Sequence, residues 1–302
     1  MSNEAKENNA MTKHEKAAIS NRYEFVLLYD VKNGNPNGDP SNGNMPRQHA
    51  DTGYGYATDA CIKRKIRNYI DVVKNGEKGF AILYKPDRAL NAKFRDAYEE
   101  NGLPLDKTKK GTNEEYENIG KKYMCDNYYD VRTFGAPMTT GTNSCGIVTG
   151  PVQITFPESV SPVFPEEITI TRQARTTEER MQTGDTELGT KQIIPYGLYR
   201  VEGYVSAMYA QKTGFTEEDL ECLWEALENM FDLDHSASRG KVCFRGLYIF
   251  RHDSTLGNAH SDDLFSKIQV KEKEGVKIPA SFKDYEVTVD KNMPEGVTLI
   301  VR

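Results

Sequence analysis

The run YEFVLLYDV, Tyr23 to Val31, is apolar at nearly every position, and through Lys32 it passes straight into NGNPNGDPSNGN, residues 33 to 44, which is almost wholly polar. Side chains alternate between the two faces of a strand. Apolar residues at both parities therefore mean a strand covered on both sides. The chain has to build a layered domain around it. The loop holds five Asn, three Gly, two Pro and one Asp, and it cannot bury a core. At the mouth of a central strand such a loop either satisfies itself through Asx turns or holds something.

As a metal site the loop fails on ligands. Asn33, Asn35, Asn37 and Gly38 match the first, third, fifth and sixth positions of an EF-hand loop, but the twelfth is Asn44 instead of Glu and the first lacks a charge. As a nucleotide loop it lacks the Lys-Ser/Thr that follows the glycines. What remains is a set of turn N–H groups and Asn amides of the kind that grip a nucleic-acid backbone, or a loop tied to itself.

The chain is long enough for one large domain. No run approaches the ~18 apolar residues of a membrane helix. Residues 1 to 20 lack the apolar core of a secretory signal and read as a charged, frayed tail. Five scattered cysteines without CxxC point to reduced thiols and a cytoplasmic setting. The formal charge is −6, yet Glu217 to Asp234 holds eight acids and no Lys or Arg; without them the balance is +2. A local field steers a polyanion, and here the charges are segregated.

ATDACIKRKIRNYIDVVKNG places Ile62, Ile66, Ile70 and Val73 at helical spacing, with Thr58 or Asp59 as cap and Asn75-Gly76 as stop. Lys63, Arg64 and Arg67 share one stripe beside the loop, a candidate phosphate track. Residues 77 to 142 read as an insertion with a helix over Asn91 to Glu100. Gly146 to Phe156 reads as one strand. Residues 166 to about 195 form a long projecting hairpin, carrying Arg172, Arg175, Arg180 and Lys191, with Met181 near its tip and Glu167, Glu178, Glu179, Asp185 and Glu187 among them. A helix over Thr216 to Phe231, a strand over Lys241 to His252 and two weaker strands, Tyr285 to Val289 and Val297 to Val301, complete the reading. Without insertions the order is β-α-β-β-α-β: an α+β, ferredoxin-like arrangement shared with RNA-recognition domains. Catalytic patterns are absent. The five histidines make no HxxxH or HxH, and no GxSxG occurs. Asp30 and Asp39 are the carboxylates beside the track, and Asp39 suits a turn cap.

RYEFVLLYDVKNGNPNGDP, GNMPR and TGYGYATDACIKRKIRNYI together resemble the opening of the repeated backbone subunit of CRISPR Cascade surveillance complexes, type I-C in particular. The resemblance continues through DVRTFGAPM, ITRQARTT and SASRGKVCFRGLYIFRH, most of residues 22 to 252. It implies an RNA-recognition-like palm with a finger insertion and a thumb hairpin. It also implies copies stacked in a filament along one CRISPR RNA, and a guide held ready to pair with target DNA beside other Cascade subunits. No cofactor and no catalytic role are implied; the alternative is a metal-dependent cut of target RNA through Asp39, as in type III relatives. Carried over by position, Asn33, Asn35, Asn37, Arg47, Lys63, Arg64 and Arg67 would hold phosphates, with Arg132 and Phe134 bordering the groove. Arg172, Arg175, Met181 and Lys191 would belong to the thumb, Met181 as base wedge, and Arg239 and Lys241 would flank the palm.

Overall fold

The computed structural model describes residues 17–105, 113–174, 177–181 and 186–302, with Arg180 and Met181 described by their backbone alone. The central strand β1 (Tyr23–Gly34) leads through short strands β2 (Gly38–Asp39), β3 (Met45–Pro46) and β4 (Tyr54–Tyr56) to helix α1 (Asp59–Val73). Next come α2 (Leu90–Glu100), α3 (Glu114–Asn127), α4 (Tyr129–Phe134) and the hairpin of β5 (Gly135–Met138) with β6 (Gly146–Thr149). β7 (Val152–Ile154) and β8 (Glu158–Pro162) precede β9 (Glu166–Arg172), the single turn α5 (Glu178–Met181) and the long β10 (Glu187–Val205). α6 (Ala207–Thr213), α7 (Glu217–Asn229) and β11 (Lys241–His252) follow. The last elements are α8 (Ser261–Phe265), β12 (Ile268–Glu272), β13 (Tyr285–Val289) and β14 (Val297–Val301).

The main sheet has eight strands, ordered β14-β11-β1-β10-β8-β4, with β7 and β9 also paired to β10. β1 sits between β10 and β11, antiparallel to both, with Leu27 opposite Val201 on one side and Leu247 on the other. Its odd residues Phe25, Leu27, Tyr29 and Val31 pack with Ile62, Ile66 and Ile70 of α1 and with Leu223, Trp224 and Leu227 of α7. Its even residues Val26 and Leu28 pack with Leu264, Phe265, Ile268 and Val297, so the C-terminal elements cover the opposite face. The continuous apolar run in the sequence thus has its cause in two covering layers. α1 is capped by Thr58, whose Oγ1 accepts the Cys61 N–H at 3.3 Å. α7 is capped reciprocally by Thr216 and Asp219.

Several expectations need correction. Residues 17–20, read as part of a frayed tail, are packed: Ile19 is fully buried and its N–H donates to Phe215 O at 3.1 Å. Residues 1–16 lie outside the described residues. The strand expected over Gly146 to Phe156 is broken in two. Pro151 has no N–H to donate, and a Cβ on Gly150 would lie 2.3 Å from Gly135 N. Residues between Leu83 and Val148 build a separate hydrophobic cluster around Phe94, Tyr98, Met124, Met138 and Cys145, which outruns the insertion boundary expected at 142. Of the two late strands, β14 joins the main sheet beside β11, whereas β13 pairs with β12, which the sequence reading missed.

All five cysteines are free, and burial pushes the Cys125 thiol up to about 11 and the Cys145 thiol up to about 12. Among the described residues no helix is long and apolar enough to cross a membrane.

The C-terminal layer is fastened through one buried carboxylate. Glu24 and His252 are both fully buried, with Nε2 of the ring 2.5 Å from Glu24 Oε2. His252 Nδ1 accepts the Asn258 N–H at 2.7 Å, so the donated proton is on Nε2. Ser261 at the start of α8 donates to Glu24 Oε1 at 2.9 Å, and Arg22 pairs with the same carboxylate. Burial alone would raise the Glu24 carboxyl; the His252 bond and Arg22 outweigh it and hold it below the ordinary 4.5. A depressed acid stabilises the fold above its unfolded pKa, and that contribution is lost as pH falls through the folded one. Glu24→Gln will therefore lower stability at neutral pH and flatten the loss on acidification below about pH 4.5, read from urea midpoints across pH.

Candidate functional site

β1 ends where four segments converge: the loop 33–44, the loop 234–240 before β11, the root of the β9–β10 hairpin, and the first turns of α1. The two loops cross backbone against backbone. A Cβ on Gly34 would lie 1.9 Å from Arg239 O, and one on Gly240 2.2 Å from Asn33 O, so glycine is required at both positions. Asn33 takes the left-handed conformation at φ 49° and Gly240 at φ 63°. Asn35 N–H donates to Ser238 O at 2.8 Å, and Lys191 Nζ from the hairpin root donates to Ala237 O at 2.9 Å. From below, the buried Lys65 of α1 pairs with Asp234, which also receives Arg239 Nε at 3.0 Å. Burial pushes the Lys65 ammonium down, against the opposing pull of Asp234.

The loop asparagines serve the loop itself. Asn35 Nδ2 donates to Asn44 O at 2.8 Å; Asn37 Oδ1 accepts from Thr58 N at 2.9 Å and Thr58 Oγ1 at 3.1 Å. Asp39 accepts the Ser41 N–H at 3.0 Å on its carboxylate, and the Asn42 and Asn44 N–H groups on its carbonyl. Asp39 therefore shapes a turn, with Arg47 3.6 Å away. Asp30 accepts the Tyr196 hydroxyl at 2.9 Å and pairs with Arg245 at 2.9 Å. Among the described residues no three His, Cys, Asp or Glu side chains form a group that could hold a metal. The exposed residues of the loop are Asn33 at its start and Pro40 to Asn44 at its tip.

The helical stripe is not an open track. Arg67 Nε donates to the fully buried Asp130 at 2.8 Å and lies over Phe134 and Tyr84. Lys63 pairs with Asp59 at 2.9 Å and also sits over Phe134. Arg64 stays exposed, 3.3 Å from Tyr84 O. The stripe is the seam between α1 and the α4 segment, with Phe134 buried inside it. Arg132 is likewise internal: its guanidinium makes two bonds to Asp219, at 2.7 and 2.9 Å, and reaches the Gly79 and Cys125 carbonyls at 2.6 and 3.1 Å. Its three guanidinium nitrogens are all engaged, so it joins the insertion to α7. Arg172 is exposed and pairs with Glu187 across the hairpin. Arg175 lies outside the described residues, as does the side chain of Met181.

The sequence reading missed Lys32. It stands directly opposite Lys241 in the β1–β11 register, both are exposed, and neither has an ion pair among the described residues. Like charges directly opposite destabilise a sheet, which marks the spot as one where an anion would relieve the repulsion. Arg239 and Lys191 lie on the adjoining segments. Lys32 sits three residues from the quoted loop motif's second asparagine, but its partner is far along the chain, so no local pattern exposes it.

The interior of this site makes a clear expectation. Asp234→Ala leaves Lys65 buried without a partner and costs about 3–5 kcal/mol, read as a lower urea midpoint at unchanged slope.

Three comparisons bear on this arrangement. The family model described as "CRISPR-associated protein Cas7" matches residues 21–290. A "CRISPR-associated protein Cas7" from Haloferax volcanii is 26% identical over 291 residues, covering 89% of this chain and 81% of that protein. Among solved structures, a chain of a "CRISPR RNA-guided surveillance complex, pre-nicking" aligns with TM-score 0.48 and 13% identity over 76% of this chain and 78% of its own. A chain of another "CRISPR RNA-guided surveillance complex" aligns with TM-score 0.40 and 13% identity over 75% and 68%.

Proposed function

The chain belongs to the CRISPR-associated Cas7 family, and from that premise we propose that it is a non-catalytic backbone subunit of a type I-C Cascade surveillance complex. In this reading copies of it line up along the spacer of one CRISPR RNA, grip the backbone without regard to sequence, and hold the bases for pairing with target DNA beside other Cascade subunits. The observation that carries the RNA-binding part is the opposed, unpaired Lys32 and Lys241 at the end of β1. Arg239 and Lys191 extend that charge. Arg64 and Arg47 are the further cations left accessible to phosphate; Arg132 and Arg67 are left out because buried carboxylates hold them.

The order β11-β1-β10-β8 with α1 and α7 on one face supports an RNA-recognition-like palm with ferredoxin-like connectivity. Such domains stack bases on the sheet face opposite the helices. Here the C-terminal elements cover that face. Contact at strand ends and loops remains, and it suits a guide whose sequence differs each time. The cluster between Leu83 and Val148 fits the finger insertion, and the β9–β10 hairpin, with Ile168, Ile170 and Leu188 exposed on a two-stranded ribbon, fits a thumb that lies against a neighbouring copy. Asp39 enters this reading as a turn former.

Changing Lys32 and Lys241 together to Ala tests it. Binding to unrelated single-stranded RNAs will weaken equally for all of them, and the slope of log affinity against log salt will fall by about 1.4, from ~0.7 per lost phosphate contact on a single strand. The fold will hold or gain about 0.2–1 kcal/mol as the cross-strand repulsion goes. Unchanged RNA affinity and slope would refute the assignment.

A further inference from the structure

Beside this cationic cluster lies a second feature that phosphate binding leaves unused. Residues 47–56, which follow β3 and end with β4, form a small hairpin around the Gln48–Gly55 bridge: His49 N–H donates to Tyr54 O at 2.9 Å and Tyr56 N–H to Arg47 O at 3.0 Å. One side of it is pressed into the protein. A Cβ on Gly55 would lie 2.6 Å from the Tyr199 hydroxyl, and Gln48 Nε2 donates to Val163 O at 2.7 Å. Register puts Arg47, His49, Tyr54 and Tyr56 on the other side. There the His49 and Tyr56 rings stack at 4.7 Å and 25°, and Phe156, held by the Ala57–Pro157 backbone bond of 2.9 Å, lies parallel to Tyr56 at 6.4 Å and 4°. Phe156 is 55% exposed and the His49 side chain 47%. Glu158, 3.7 Å from His49, is the carboxylate on the rim.

Three near-parallel rings, with Tyr56 in the middle and the exposed His49 and Phe156 at the two ends, make a short aromatic stack of the kind that an unpaired base extends. Arg47 is on the same face and reaches toward the loop, with its Nε buried and unpartnered. The surface is therefore continuous with the proposed phosphate site and carries a cation at the junction. We infer that His49, Tyr56 and Phe156 form a stacking platform for an unpaired nucleobase of a strand whose backbone passes Arg47. This rests on the nucleic-acid reading above and adds to it a contact with bases, sequence-tolerant because every base has a π face.

The test compares the purified protein with Phe156→Ala and Phe156→Trp on three short single-stranded probes of equal length: RNA, DNA, and an abasic strand with the same phosphates. A 2-aminopurine is placed in the first two to report stacking. Phe156→Ala will bind the base-bearing strands about five- to a hundredfold more weakly. It will lose the 2-aminopurine quenching, bind the abasic strand as the parent does, and keep the parent's salt slope. Phe156→Trp will retain affinity and quenching. Loss confined to RNA assigns the base to the guide, loss confined to DNA to the target, and equal loss to any unpaired strand. If the parent binds abasic and base-bearing strands alike with a normal salt slope, the platform is wrong and the phosphate site stands. If the parent binds no strand, both fall. A change in particle size at unchanged strand affinity gives the rings to a protein contact and overturns the proposal.

Discussion

β1 is held on both edges and covered on both faces, and the rest of the molecule is placed by that burial. Its odd side chains fix where α1 and α7 lie, and its even side chains fix where the C-terminal elements lie. A one-residue slip against either neighbour would exchange the two sets. Both neighbours, β10 and β11, follow it over most of its length. The loop after β1 is therefore delivered to one place with little freedom, and the crossing of Gly34 with Gly240 pins it there. A site made mostly of loops gains its rigidity from a strand that touches no ligand.

Much of this was legible locally. The isoleucine spacing in α1, the caps at Thr58 and Thr216, the spans of β13 and β14 and the hairpin around the 175–190 stretch follow from periodicity and turn chemistry over a few residues. What failed were inferences about what a side chain meets. The spacing of Lys63, Arg64 and Arg67 gave their common face correctly, but Lys63 and Arg67 on it are engaged by Asp130, Phe134 and Tyr84 from outside the helix, and Arg64 alone of the three stays exposed. Arg132, which the resemblance set at the border of a groove, is held by Asp219 of another helix, a pairing no local pattern shows. The asparagines of the loop divide their amides between neighbours in ways composition does not encode. Lys32 became visible only once register set Lys241 opposite it.

The acidic segment of residues 217–234 also changes meaning. In sequence it was a block of charge to be kept from a polyanion. In the fold several of its members are internal counterions: Asp219 holds Arg132, Asp234 holds Lys65 and Arg239, and Glu221 and Glu228 hold Arg302. The segregation therefore reflects a segment whose carboxylates tie the insertion, α1 and Arg302 to one support. Lys32 and Lys241 are left without an ion pair among the described residues, where a positive field has most effect.

β10 is one strand of 19 residues, its first part the outer half of the hairpin and its remainder the neighbour of β1. Because no joint separates the two, the ribbon inherits its facing from the core. Adding or deleting a single residue within the stem would turn every subsequent side chain over, including Tyr199 and Val201 at the centre of the molecule. Length variation that evolution or an engineer introduces here is thus confined to the segment between Arg172 and Glu187, where a change in reach leaves the interior untouched.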